Sequence, residues 1–181
     1  MSRMTEQTLL YDKYDDTIGV LTFNRPQSLN ALDLATMQLF ADRIDDVAAD
    51  PDLRVLILTG AGERAFSSGG DLNDLADKNS EADALHFITI MGDALLKMEQ
   101  LSIPVIAAIN GYALGGGSEI ALACDMRIID DKARLGMVQM RMGVTPGWGA
   151  GQRLIRLVGY SRAMYLLLRS HIMHAPEIKE L

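Results

Sequence analysis

Cysteine is nearly missing from this chain: Cys124 is the only one. That excludes an internal disulfide and a multi-cysteine zinc site, and it fits a reducing compartment. Cations are in deficit, with 17 Lys and Arg against 24 Asp and Glu, a formal charge of −7. At a pI near 4.9 no nucleic-acid footprint is expected. An anionic ligand would have to be met by local cations or by backbone N–H groups. Long apolar runs are missing too. None reaches the ~18 residues of a spanning helix, and the longest candidate, Ile103 to Leu114, is broken by Pro104, Asn110 and Gly111. The stretch Met1 to Asp16 is polar and lacks the apolar core of a signal peptide. There is no repeat, low-complexity block or Gly/Ser linker. The expectation is a soluble, cytoplasmic protein with no membrane contact.

What is present is a globular balance, 49% hydrophobic and 23% charged over 181 residues. That length fits about one domain with a sizeable core of its own. Thr8 to Tyr11 and Ile18 to Phe23 read as short strands, with a polar turn from Asp12 to Thr17 between them. Asn24-Arg25-Pro26-Gln27 ends the second strand. From Asp33 to Ala49, Leu34, Met37, Leu39, Phe40, Ile44 and Val47 recur at near-helical spacing. Asp33 stands at the start and Pro51 follows the end. Val55 to Leu58 is an all-apolar run, as in a strand buried on both faces. A helix over Ala82 to Gln100, a strand over Val105 to Ile109, a short helix over Ser118 to Cys124 and an apolar strand over Met126 to Ile129 follow. Gly149 to Val158 and Ser161 to Leu168 read as later helices, and His171 to Leu181 as an exposed polar tail. The alternation predicts an α/β layered fold, with sites beyond the carboxyl ends of the strands.

Two glycine clusters fall at such strand ends. One is Phe66-Ser67-Ser68-Gly69-Gly70-Asp71-Leu72. The other runs from Asn110-Gly111 through Gly115-Gly116-Gly117-Ser118-Glu119. Glycine allows positive φ and close backbone approach, and a Gly-rich turn feeding a helix presents unpaired N–H groups. Two such turns side by side can aim two N–H groups at one oxygen, the geometry of an oxyanion hole. Tight turns and close helix–strand packing are the plain alternative for either cluster alone. Neither has the dinucleotide or phosphate-loop spacing.

Both clusters, together with Asn24-Arg25-Pro26, Leu29-Asn30-Ala31-Leu32, Cys124-Asp125 and Gly143-Val144-Thr145-Pro146-Gly147-Trp148-Gly149, resemble the crotonase (enoyl-CoA hydratase/isomerase) superfamily. The resemblance covers nearly the whole chain. It implies an α/β spiral of repeated strand-strand-helix units, and a lyase-type enzyme of fatty acid metabolism acting on acyl-CoA thioesters. Coenzyme A is then part of the substrate, and no metal or redox cofactor is implied. By resemblance the amides of Gly70 and Gly116 hold the thioester oxygen and stabilise an enolate. Glu119 matches one of two catalytic carboxylates; an acid favoured by the helix dipole is the simpler reading of it. The second carboxylate position falls on Gln139, which can hydrogen-bond but cannot carry a proton as a carboxylate does. Ser68, Asp71 and Leu72 match positions lining the CoA path, with helix capping as the other reading of Asp71. Arg25 is a candidate for the CoA phosphates or a simple surface charge. Family chains continue into C-terminal helices that build trimers and hexamers. On this resemblance residues 1–181 form a single core lacking most of that region, and homo-oligomerisation is expected. An apolar patch is expected where those helices would lie.

Trp148 beside Pro146 resembles superfamily decarboxylases of malonyl-type thioesters, which need the oxyanion hole but not two carboxylates; packing is the plain alternative. A non-catalytic acyl-CoA-binding subunit is a further alternative, motivated by Gln139. Arg141 reads as a cation near the site or a solvated loop charge. His86, His171 and His174 are scattered and lack a third metal ligand. Cys124 reads as a small buried hydrophobe, and Met137, Met140 and Met142 as core or as acyl-pocket lining.

Overall fold

A computed structural model describes residues 7–76 and 80–181. Residues 1–6, part of the polar N-terminal stretch, lie outside the described residues. The first strands are β1 (Leu9–Tyr14) and β2 (Ile18–Phe23), an antiparallel hairpin. The strand runs on to Tyr14, so the turn is tighter than the polar stretch from Asp12 suggested. Asp15 and Asp16 take φ of 47° and 56°, a left-handed pair that short polar side chains tolerate and that suits a two-stranded twist.

Helix α1 (Leu34–Ala49) starts where Asp33 accepts the Thr36 N–H at 2.8 Å. Its buried face is Thr36, Met37, Phe40, Ile44 and Val47. Leu39 was expected there, but it points outward and is exposed. Then come three repeats of strand, strand and helix. The first holds β3 (Val55–Gly60), β4 (Ala65–Ser67), α2 (Leu72–Leu75) and α3 (Glu81–Met98); the second holds β5 (Val105–Ile109), β6 (Tyr112–Leu114) and α4 (Gly116–Ala123). The third holds β7 (Met126–Ile129), β8 (Arg134–Gly136), α5 (Ala150–Val158) and α6 (Tyr160–Arg169). This is the expected spiral. The long strands build one sheet in the order β1-β2-β3-β5-β7, parallel from β2 onward. The three-residue strands build a second sheet alongside, β4-β6-β8 closed by β9 (Ile172–His174).

Three segments differ from what their residues suggest. β3 buries Leu56 and Leu58 on one face while the alternate residues are only partly covered. β7 lies at the sheet edge, so Met126 and Ile128 are exposed. The C-terminal segment is structured. β9 pairs antiparallel with β8, α7 (Ala175–Lys179) follows, and Met173 and Ala175 are buried. His171 there binds Glu177 at 2.9 Å. Among the described residues no group of His, Cys, Asp and Glu is placed to hold a metal.

The core sits between the large sheet and α1, α3 and α4. Phe23 stacks on Phe40 at 6.0 Å and meets the edge of Phe66 at 5.5 Å. Gly92 lies inside α3 with open space where a Cβ would project. Gly92→Ala is therefore expected to stabilise the chain by about 0.5–1 kcal/mol, because alanine loses less backbone entropy in a helix. Thermal melting of the variant checks this. No helix is long and apolar enough to cross a membrane among the described residues.

Candidate active site

The two glycine clusters close the carboxyl ends of β4 and β6, neighbours in the smaller sheet. Asn30 pins the first. It is buried with φ 55°, its Nδ2 donates to the Ala65 carbonyl at 2.7 Å, and its own carbonyl accepts from Ser67 Oγ at 2.8 Å. The Leu32 N–H bonds to the Gly69 carbonyl at 2.8 Å and the Asp71 N–H to the Leu32 carbonyl at 2.8 Å. These two bonds make a parallel bridge between Leu32 and Gly70. In such a bridge Gly70's own N–H points to the opposite side.

The second cluster is pinned by Ser118, whose hydroxyl donates to the Ala113 carbonyl at 2.6 Å and accepts from the Gly136 N–H at 3.2 Å. Helix α4 begins at Gly116, two residues earlier than the polar boundary at Ser118 implied. Gly116 thus has no intrahelical acceptor for its N–H. The turns press together: a Cβ on Gly69 would stand 2.5 Å from the Gly116 nitrogen, and one on Gly117 would stand 2.0 Å from the Ser67 carbonyl oxygen. The two glycine turns thus lie directly against each other.

Glu119 stands in the first turn of α4 and is only 2% exposed. Its Oε2 accepts the Trp148 N–H at 2.8 Å and the Ala150 N–H at 3.1 Å; its Oε1 accepts Gln139 Nε2 at 2.9 Å. Burial pushes its pKa above the ordinary carboxylate value, and the N–H groups of Ala150, Trp148, Gln139 and Gly147 pull partly against that. Gln139 is buried, and its Oε1 has no hydrogen-bond partner among the described residues. That leaves one unoccupied acceptor beside the Glu119 carboxylate. Its place in the first turn of α4 also suits the helix dipole, but the burial of Glu119 and its side-chain partners go beyond what a dipole requires.

Trp148 is 3% exposed and packs on Phe87 of α3 at 5.5 Å. Its ring covers Gly116 so closely that a Cβ there would lie 2.1 Å from the ring. Packing and site lining are therefore the same role at this position.

The other candidates separate from this centre. Asp71 caps α2 by accepting the Asn73 N–H at 3.1 Å and pairs with Arg25 at 2.8 Å. Arg25 also donates to the Ala31 carbonyl at 2.8 Å and lies 3.5 Å from Asp33, so it braces the turn before α1 rather than standing as a free surface charge. Leu72 is 59% exposed at the start of α2. Ser68 donates its backbone N–H to the Leu29 carbonyl at 3.0 Å, and its own carbonyl faces Gly115. Arg141 is exposed, as a solvated loop charge would be, and it also donates to the Ser170 carbonyl at 2.7 Å, tying the Gln139–Met142 turn to the β9 side. Cys124 is buried, with its thiol pushed up to about 12 by desolvation, so it is no nucleophile. One feature of the site had no signal in the residue pattern. Arg153 and Glu99, 54 residues apart, form a mostly buried pair behind Trp148.

A family profile described as enoyl-CoA hydratase/isomerase matches residues 13–181. The chain belongs to that family. It is 39% identical over 175 residues to a probable enoyl-CoA hydratase of Mycobacterium bovis, covering 96% of this chain and 66% of that protein. It is 40% identical over 160 residues to a short-chain-enoyl-CoA hydratase of Clostridium acetobutylicum, covering 88% and 61%. The crystal structure of an enoyl-CoA hydratase from Bacillus anthracis superposes with a TM-score of 0.92 at 38% identity, covering 96% of this chain and 67% of that one. The chain thus spans just under two thirds of the length of the two curated relatives. The crotonase fold that the resemblance implied is the fold observed.

Proposed function

We propose that this chain processes acyl-CoA thioesters as an enoyl-CoA hydratase-type lyase working with one acid/base carboxylate. The observation that carries the reading is Glu119: buried, gripped by backbone N–H groups on one oxygen and by Gln139 on the other, beside the paired glycine turns. The amides of Gly70 and Gly116 would hold the thioester oxygen. Fixed dipoles of this kind stabilise the developing negative charge without reorganising.

One carboxylate suffices for balance. Glu119 takes a proton from water as the water oxygen bonds to the β-carbon. The double-bond electrons move onto the thioester oxygen as an enolate. The enolate then collapses, and its α-carbon takes the same proton back from Glu119. The unpartnered Oε1 of Gln139 supplies an acceptor for the second hydrogen of that water. No cofactor takes part, since coenzyme A belongs to the substrate. The protein works in the cytoplasm, as a homo-oligomer of single-domain chains. The two relatives above are named as a probable enoyl-CoA hydratase and a short-chain-enoyl-CoA hydratase, which supports water addition.

A second reading follows from Gln139 and Trp148. The site has a neutral amide at the second position and an indole wall over Gly116. That combination suits loss of CO₂ from a malonyl-type thioester. Incubation with crotonyl-CoA and with methylmalonyl-CoA, followed by product mass, decides between them. Gain of one water on crotonyl-CoA is the expected result. Loss of CO₂ from methylmalonyl-CoA would install the second reading. Thioester binding without turnover on either would leave a non-catalytic binding subunit.

A further inference from the structure

Arg153 sits in the first turn of α5, where a cation opposes the helix dipole, and Glu99 follows the last turn of α3, where an anion does. Each is at the wrong end of its helix. Arg153 is also 5% exposed, and a buried pair of this kind is a weak source of stability. The two charges instead answer to each other and to a third group. Arg153 Nε donates to Glu99 Oε1 at 2.9 Å and Nη2 to Glu99 Oε2 at 2.8 Å, a two-pronged clasp. The remaining nitrogen, Nη1, donates to the Trp148 carbonyl. Gly149, at φ 94°, makes room: a Cβ there would lie 2.8 Å from Nη1.

The peptide groups flanking that carbonyl are the ones that hold Glu119. Trp148 gives its N–H to Glu119 Oε2, and so does Ala150. The Arg153 fork therefore grips the turn from one side while the turn grips the carboxylate from the other.

We propose that the Glu99–Arg153 pair is a positioning strut that fixes the 147–150 turn and, through its two N–H groups, the orientation of the Glu119 carboxylate. The proposal rests on Glu119 as the acid/base group. Arg153 touches no reacting atom and acts only through the turn. Lysine cannot replace it, since one ammonium cannot hold both carboxylate oxygens and the carbonyl in a fixed fork.

The test uses Arg153→Lys and, as a milder second variant, Glu99→Gln. Both are expected to lower kcat about 10- to 100-fold with KM little changed, the signature of a displaced reacting group. In a Glu119→Gln background the same changes should cost no further activity. Trp148 is the only tryptophan, so ¹⁵N-tryptophan labelling gives one backbone amide signal. Its hydrogen bond to a carboxylate places it downfield, and both variants should move it upfield, as Glu119→Gln does. An unmoved Trp148 amide, or an equal further loss of kcat in the Glu119→Gln background, overturns the strut. Full turnover by Glu119→Gln itself would overturn the acid/base reading instead, and the amide signal would still decide the strut.

Discussion

Glu119→Gln is expected to cut turnover on the productive thioester by about 10²–10⁴-fold, the usual worth of a general acid/base group, while leaving the fold at least as stable as before. The substitution is nearly isosteric, and the site can satisfy it. The new amide oxygen takes over the N–H groups of Trp148 and Ala150, which now meet Glu119 Oε2. The new NH₂ faces Gln139, whose Oε1 has no partner today, so a turn of the Gln139 amide closes the pair. Lost activity would then report lost proton transfer and not lost structure.

The pH dependence sharpens the test. Burial raises the Glu119 pKa above its ordinary value of 4.5. Between that value and the raised one, the folded chain holds a proton that the unfolded chain has released. Stability due to this group is fully present below the ordinary value and is lost as pH rises through the raised one. The variant does not titrate there. Melting curves should therefore show its Tm gaining on the parent's as pH rises from the ordinary carboxylate value toward neutrality. A variant that melts far below the parent at every pH would mean that Glu119 is a structural clamp.

The legible parts of this fold were those with local causes. Asp33 announces α1 because its side chain caps it, and Val105 to Ile109 is an apolar run long enough to be a strand. The second sheet was hidden. Its strands have three residues each, too few for any period to show, and two of them overlap the glycine clusters. β9 exists only because Arg134 to Gly136 offers it an edge, a partner some 40 residues away that no local pattern reveals. At the site, the paired glycine turns were legible in the residues, while the role of Glu119 came from the resemblance. The pairing of Arg153 with Glu99 and the ring of Trp148 on Gly116 came from neither pattern nor resemblance. The ion pairs of Arg25 were not legible because Asp71, its nearer partner at 2.8 Å, lies 46 residues further along the chain.

Gly69→Ala is expected to damage stability and turnover together, and it tests whether the two turns act as one. Gly69 takes φ 87°, a left-handed conformation that costs an L side chain about 1–2 kcal/mol. The added Cβ would also stand 2.5 Å from the Gly116 nitrogen and 2.9 Å from its Cα. These are backbone atoms, so no rotamer change relieves them, and overpacking of this kind costs about 1–3 kcal/mol. The segment cannot retreat, since the Leu32 N–H holds the Gly69 carbonyl from behind at 2.8 Å. The start of α4 must move instead, carrying the Gly116 amide away from Gly70. A Tm drop on the order of 10 °C is expected for a chain of this size, with kcat falling about 10²–10³-fold, the cost of losing one oxyanion donor. Gly62→Ala separates the two effects. Gly62 has φ 75°, so alanine is strained there too, but the nearest atom to its Cβ is Pro26 Cβ at 3.4 Å, away from the site. That variant should lose stability and keep its kcat. If Gly69→Ala also kept its kcat while melting early, the Gly70 and Gly116 amides would not share an oxygen, and enolate stabilisation would have to come from elsewhere.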